Sequence, residues 1–217
     1  VESAGKKYEF EVDQPMADSV QMYLDFCARE SESMTDDPLI LCEERVDLSH
    51  ILGEGEGGTV DFGVFVDGTV HAIDLKYGKG VKVYVANNPQ LLLYTAGLLK
   101  RLGKDVDVKQ IKMTIVQPRL NHFDTVTVPM ADLIAFLKMA KAGAATVRQA
   151  IAEYVLAKED EAQMLRWRKT YLFPEAEACR WCKAKGDCPA LWSSAVSTVV
   201  GRKKRSKITD DDWDVPP

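Results

Sequence analysis

No stretch of this 217-residue chain approaches the roughly 18 to 20 apolar residues that a membrane span needs, and its opening VESAGKKYEF has no apolar signal core. Both absences argue against a membrane role and lead to the expectation of a cytoplasmic protein. Positive charge is not in excess either. The formal net charge of −5 excludes nonspecific capture of nucleic acid by bulk attraction and leaves a local basic face as the electrostatic route to it. There is no internal repeat. Histidine is scarce: His50 and His122 fall in predicted loops, NHFD around His122 is no metal motif, and His71 falls on the strand face opposite Asp74.

What is present is ordinary for a globular protein, with 46% hydrophobic and 28% charged residues. The length suits one generous α/β domain, or a domain with an appendage. Residues 14–33 open with Pro15 and place Met16, Val20, Tyr23 and Phe26 at near-helical intervals, which predicts a helix. LILCEERVDL reads as a strand. TVDFGVFV and HAIDLKY read as two more, joined at VDGTV by an Asp-Gly hairpin turn. An Asn-Pro start, a leucine-rich body and Gly103 mark NPQLLLYTAGLLKRLG as a capped helix. VKQIKMTIVQP and FDTVTV are strands. From residue 129 to about 163 the pattern is helical, with a break expected near Gly143. Helix, three strands, helix, strand predicts a mixed sheet with helices against it.

The hairpin places charge where charge is expensive. At period two, Val60, Phe62, Val64 and Val66 share one face, which sends Asp61 to the other; Ile73 and Leu75 likewise oppose Asp74 and Lys76. Two arrangements are open. In one, the acids sit on a solvated face and Lys76 pairs with either. In the other, Asp61 and Asp74 converge from adjacent strands to hold a divalent cation through oxygen ligands, the backbone carbonyl of Leu75 adding a third. Lys76 would then orient or deprotonate a water and offset charge developing on a phosphate. Matching strand phase favours the second arrangement, as does the glycine-rich YGKG. So does the polar pair Gln90 and Tyr94, which shares one face of a leucine-rich helix.

The order G-x-x-D (Gly58, Asp61), D-x-K (Asp74, Lys76) and Q-x-x-x-Y (Gln90, Tyr94) resembles the motifs of the PD-(D/E)xK nuclease superfamily, in its RecB-like branch. More narrowly, CEERVDLSHILGEGEGGTVDF, HAIDLKYGKGVKV, NPQLLLYTAG, MTIVQPRLNHFD and CRWCKAKGDC together resemble a bacterial and prophage family of RecB-type exonucleases. The resemblance spans roughly residues 14–192. It implies a restriction-endonuclease-like mixed central sheet flanked by helices, Mg²⁺ or Mn²⁺ at Asp61 and Asp74, a catalytic Lys76, and Gln90 with Tyr94 steadying that lysine or the DNA backbone. Related nucleases usually add a His or Glu from a helix before the first strand, often as G-T-x-x-H. Residues 1–33 contain no such motif. The expectation is that it precedes Val1, with Glu30 or Glu32 as a substitute; Glu43 or Glu44 is a candidate supporting acid.

Cys179, Cys182 and Cys188 form C-x₂-C-x₅-C, a metal-ligand spacing, and structural disulfides are not expected in a cytosolic chain. The resemblance implies part of an iron–sulfur staple that holds a [4Fe-4S] cluster, with zinc as the chemical alternative. A fourth ligand is needed. Cys27 and Cys42 are candidates, although each sits where a cysteine is usually a small buried hydrophobe, so the fourth is expected before Val1 and the cluster absent without it.

Lys76, Lys79 and Lys82 around the hairpin, and Lys100, Arg101 and Lys104 at a helix end, supply local positive charge for phosphates. The domain plan is a nuclease core over 1–175, a helical cysteine-bearing segment over 176–195, and a mobile basic-then-acidic tail over 196–217. ITDDDWDVPP in that tail resembles the acidic peptides by which single-strand-binding proteins recruit partners, which suggests docking on a recombination or replication protein. The function expected is metal-dependent DNA hydrolysis, exonucleolytic, in phage or prophage recombination or repair. The alternative is a catalytically silent DNA-binding or assembly module. An oligomer is compatible with either.

Overall fold

The computed structural model describes residues 2–3, 6–7, 11–32 and 37–205. It divides into two compact units, Val1–Ala145 and Thr146–Pro217. Among the described residues no helix is long and apolar enough to cross a membrane.

The first unit starts with a two-stranded antiparallel pair, β1 (Glu2–Ser3) and β2 (Lys6–Lys7), followed by α1 (Gln14–Glu30). The Asp13 carboxylate caps α1 by accepting from Met16 N at 2.8 Å, and Pro15 stands in the first turn, where its missing N–H costs nothing. Next come β3 (Leu39–Asp47), the short α2 (Ser49–Leu52), β4 (Gly57–Val66) and β5 (Thr69–Leu75). Asp67 and Gly68 both have positive φ (48° and 76°), so the β4–β5 connection is the two-residue hairpin turn its Asp-Gly pair predicts. A long connection leads into α3 (Pro89–Leu102), capped by the Asn88 side chain, then β6 (Gln110–Gln117), a single 3₁₀ turn (Pro118–Leu120) and β7 (His122–Thr127). The helix α4 (Met130–Ala157) begins here.

These strands form one five-stranded mixed sheet in the order β3-β4-β5-β6-β7. Only β5 and β6 are parallel, with α3 in the crossover between them. Helices flank both faces. Against one, Leu91, Leu92 and Leu98 of α3 and Leu133 of α4 pack with Val70, Ala72, Met113 and Ile115. Against the other, Phe26 and Cys27 of α1 pack with Phe62, Val64, Ile73 and Val116.

Three local expectations need correction. Val60 does not share a face with Phe62, Val64 and Val66: it packs in the α3 cluster, while those three pack in the α1 cluster. The β4–β5 ladder runs from the turn only as far as Phe62↔Ile73. Beyond it the Asp61 carboxylate, not a backbone carbonyl, takes the Leu75 N–H at 2.8 Å, so strict alternation lapses at Asp61. Gly143 does not break α4, because alanines 142, 144 and 145 around it offset the roughly 1 kcal/mol that a helical glycine costs. His50 and His122 lie in α2 and β7 rather than in loops.

In the second unit, α5 (Glu161–Tyr171) packs on the end of α4: Trp167 Nε1 donates to Ala150 O at 2.7 Å, and the Tyr154 and Trp167 rings meet edge to face at 5.2 Å. α6 (Ala176–Arg180) and α7 (Pro189–Arg205) follow. α7 continues through the start of the segment expected to be a mobile tail; ITDDDWDVPP lies outside the described residues.

Candidate active site

At the C-terminal end of β5 the chain leaves the sheet beside the first turns of α3, and four polar side chains meet there. Asp74 is 2% exposed, and Lys76 Nζ lies 2.6 Å from its Oδ2. Gln90, from the first turn of α3, ties the two together. Its Oε1 accepts from Lys76 Nζ at 3.0 Å, while its Nε2 donates to Asp74 Oδ1 at 3.0 Å and to the Tyr94 hydroxyl at 3.2 Å. Gln90 and Tyr94 can share this task because they lie one helical turn apart on one face. Gly58 makes room for the ring: a Cβ there would stand 2.5 Å from Tyr94 Cε1.

Asp61 joins the group from β4 through its hydrogen bond to Leu75 N. Its charge also reaches Asp74. Burial pushes the Asp74 carboxyl above its ordinary range; the Lys76 ammonium opposes that rise without cancelling it, and Asp61 adds to it. Asp74 Oδ2 is buried and, apart from the Lys76 ammonium beside it, meets no hydrogen-bond donor of proper geometry. A buried carboxylate near a second carboxylate is an unfavourable arrangement, and here the Lys76 ammonium offsets only part of its cost. Asp61, Asp74 and the Leu75 carbonyl are oxygen groups of the kind hard divalent ions take, with several waters kept, though among the described residues no group of three or more His, Cys, Asp or Glu is placed to hold a metal ion.

Asp74, Lys76, Gln90 and Tyr94 are thus assembled directly, and Asp61 lies within electrostatic reach. The cysteines stand differently. Cys179 is in α6, Cys182 follows in a turn whose N–H bonds to Cys179 O at 3.3 Å, and Cys188 precedes α7. All five cysteines are free thiols, and among the described residues no group of three or more His, Cys, Asp or Glu is placed to hold a metal ion. The three do not form an assembled ligand set here. Cys42 is exposed and Cys27 is buried in the α1 cluster.

The candidate substitute acids lie elsewhere. Glu30 accepts from Lys112 Nζ at 2.6 Å and pairs with His71 Nδ1 at 3.1 Å, on the sheet face opposite Asp74. Glu32 and Glu43 are exposed, and Glu44 pairs with Arg101. What α1 does present toward Asp61 is Tyr23 and Cys27. Burial, then the Cys27 thiol and the Asp61 charge, push the Tyr23 hydroxyl well above its ordinary range, and burial carries the Cys27 thiol up to about 11. From sequence Cys27 is a candidate only for the fourth cluster ligand and Tyr23 only a helix-face residue; their i,i+4 spacing on the apolar stripe of α1, with Glu30 next, is the signal that could place them beside the acids.

A family model described as "Protein of unknown function (DUF2800)" matches residues 2–214. No solved structure matches the chain.

Proposed function

The chain belongs to the DUF2800 family, whose description assigns no activity; from the site together with the motif resemblance to RecB-like nucleases we propose that it hydrolyses DNA phosphodiesters with a divalent metal ion, the resemblance suggesting an exonuclease of phage or prophage recombination or repair. On this reading the first unit is a restriction-endonuclease-like core. The observation that carries the proposal is the buried Asp74 carboxylate, its protonation favoured by burial and by Asp61, yet held against a lysine by a dedicated glutamine. A merely structural ion pair gains nothing from a second carboxylate nearby.

Asp61, Asp74 and the Leu75 carbonyl would hold Mg²⁺ or Mn²⁺. When bound, such an ion supplies Lewis-acid stabilisation of a phosphoryl oxygen and lowers the pKa of a bound water. The chain's own groups do the rest. Two of the three Lys76 ammonium hydrogens face Asp74 and Gln90. The side chain is 30% exposed, so the third can reach a water or a phosphate oxygen at the surface. Gln90 fixes the direction of that donor, and Tyr94 fixes Gln90. Preset donors of this kind stabilise charge developing in a transition state without reorganising.

A second reading, a catalytically silent DNA-binding or assembly module, draws on α1, which offers Tyr23 and Cys27 toward Asp61 where a carboxylate or imidazole ligand would serve. Digestion of linear and closed circular DNA with Mg²⁺ or chelator separates the two. The nuclease reading expects Mg²⁺-dependent loss of linear DNA alone, abolished by Asp74→Ala and by Lys76→Ala. Equal degradation by those variants would defeat it. The [4Fe-4S] or zinc site at Cys179, Cys182 and Cys188 is likewise a proposal, tested by iron, sulfide and zinc content after anaerobic purification.

A further inference from the structure

Immediately after Lys76 the chain runs through residues 77–88 without regular secondary structure, yet it is firmly tied down. Gln117, itself 2% exposed, spends its whole amide on this strap: Oε1 accepts from Val83 N at 2.7 Å and Nε2 donates to Val81 O at 3.1 Å. The Asp124 carboxylate accepts from Val85 N at 2.8 Å, and His122 Nε2 lies 3.0 Å from Val83 O. The strap alternates as a strand does. Val83 and Val85 pack into the α3 cluster, while Lys82 and Tyr84 face outward.

The outward groups include aromatic and cationic side chains beside the exposed Val81. Tyr84 is 62% exposed and rests edge to face on the His122 ring at 5.5 Å. The exposed Arg119 guanidinium lies 4.7 Å over the ring of Tyr77. Lys79 and Lys82 are exposed and form no ion pair among the described residues. Propped aromatic rings interleaved with unpaired cations match a ligand with flat apolar faces and regularly repeated negative charge. Duplex DNA keeps its base faces inside the stack and leaves Tyr84 without a partner. An unpaired strand exposes them.

We infer that the strap is a docking platform for single-stranded DNA, its bases stacking on Tyr84 and its phosphates held by Lys79, Lys82 and Arg119. Because the strap continues directly from Lys76, a strand lying on it is delivered to the Asp74–Lys76 site; that delivery rests on the nuclease reading above, whereas the binding does not. Tyr84 is a positioning residue in this account, since it touches the strand away from the cleaved bond.

The test is fluorescence anisotropy of the full chain with a labelled oligothymidine and with a hairpin duplex of equal length, both in chelator so that nothing is cleaved. The wild type binds the single strand more tightly than the duplex. Tyr84→Ala weakens single-strand binding by roughly 10-fold or more, and Tyr84→Trp restores it. Lys79→Gln and Lys82→Gln each lower the slope of log affinity against log salt by about 0.7. Circular-dichroism melts of the variants matching the wild type exclude misfolding as the cause. Binding by Tyr84→Ala within twofold of wild type, a preference for the duplex or for the RNA counterpart, or no binding by the wild type each overturns the inference. With Mg²⁺ restored the two proposals come apart. Tyr84-dependent binding without hydrolysis keeps the platform and removes the nuclease. Hydrolysis with KM and binding indifferent to Tyr84→Ala does the reverse.

Discussion

His71 and Asp74 are three residues apart on β5, both buried, and each is the centre of a polar cluster on its own face of the sheet. On the α1 face, His71 Nε2 lies 2.7 Å from the Thr114 hydroxyl and its Nδ1 lies 3.1 Å from Glu30, which also takes Lys112. Here the geometry stabilises the fold. Burial alone would raise the Glu30 carboxyl, but Lys112 and His71 reverse that and hold it below its ordinary range. On the α3 face the balance has the opposite sign, and Asp74 stays above its ordinary range despite Lys76. One strand thus carries a cluster that helps folding and another that opposes it, and the opposing one is the candidate site.

The largest expected difference between them is in rate. Lys76→Ala or Asp74→Ala lowers metal-dependent cleavage by about 10²–10⁴-fold. Asp74→Asn, which keeps a Gln90 contact but removes the buried charge, raises the melting temperature by about 2–4 °C, the equivalent of about 1 kcal/mol. A lower melting temperature would show that the Asp74–Lys76 pair is structural after all. Glu30→Gln reverses the pattern: it costs about 1.5–3 kcal/mol in urea unfolding, because charged hydrogen bonds to Lys112 and His71 are lost, and it leaves the cleavage rate unchanged. Next in size is Gly58→Ala. Its methyl would displace the Tyr94 ring and loosen Gln90, destabilising by about 1–3 kcal/mol and slowing cleavage together.

A separate effect is in the pH profile. Burial, helped by Lys112 and opposed by Glu30, lowers the His71 imidazole from 6.5 to about 4. Between those values the unfolded chain binds a proton that the folded one refuses, so stability falls as pH drops from about 6.5 to about 4. Glu30 acts in the same direction: its contribution is complete above the ordinary carboxylate range and is lost as pH falls through its lowered value. Asp74 acts oppositely, reducing stability as pH rises from the ordinary Asp range into its raised one. Replacing His71 by Gln flattens the acid-side slope measured by thermal melts; an unchanged slope would mean that His71 is not the group refusing the proton.

The difference between the faces also marks what the sequence could reveal. Asp67-Gly68, the Asn88-Pro89 helix start and the Gln90–Tyr94 pair are signals written within a few residues, and each is found where the pattern places it. The Glu30–Lys112 contact joins residues 82 positions apart and has no local signature. The face switch at Asp61 was equally hidden, because a side chain that replaces a ladder hydrogen bond breaks a period-two pattern without changing any residue type. A lone glycine such as Gly143 signals a break only where its neighbours are poor helix formers, and here they are alanines.

On the proposed function, the ammonium of Lys76, fixed by Gln90 beside Asp74, takes part in breaking DNA. Single-turnover digestion of an end-labelled linear strand in Mg²⁺, comparing wild type with Lys76→Met at matched stability, tests it most directly. The expected result is nucleotide release by the wild type and a loss of at least about 10²-fold in the variant, whose stem is kept but whose donor is gone. Release at the same rate by both proteins, or by neither, contradicts it.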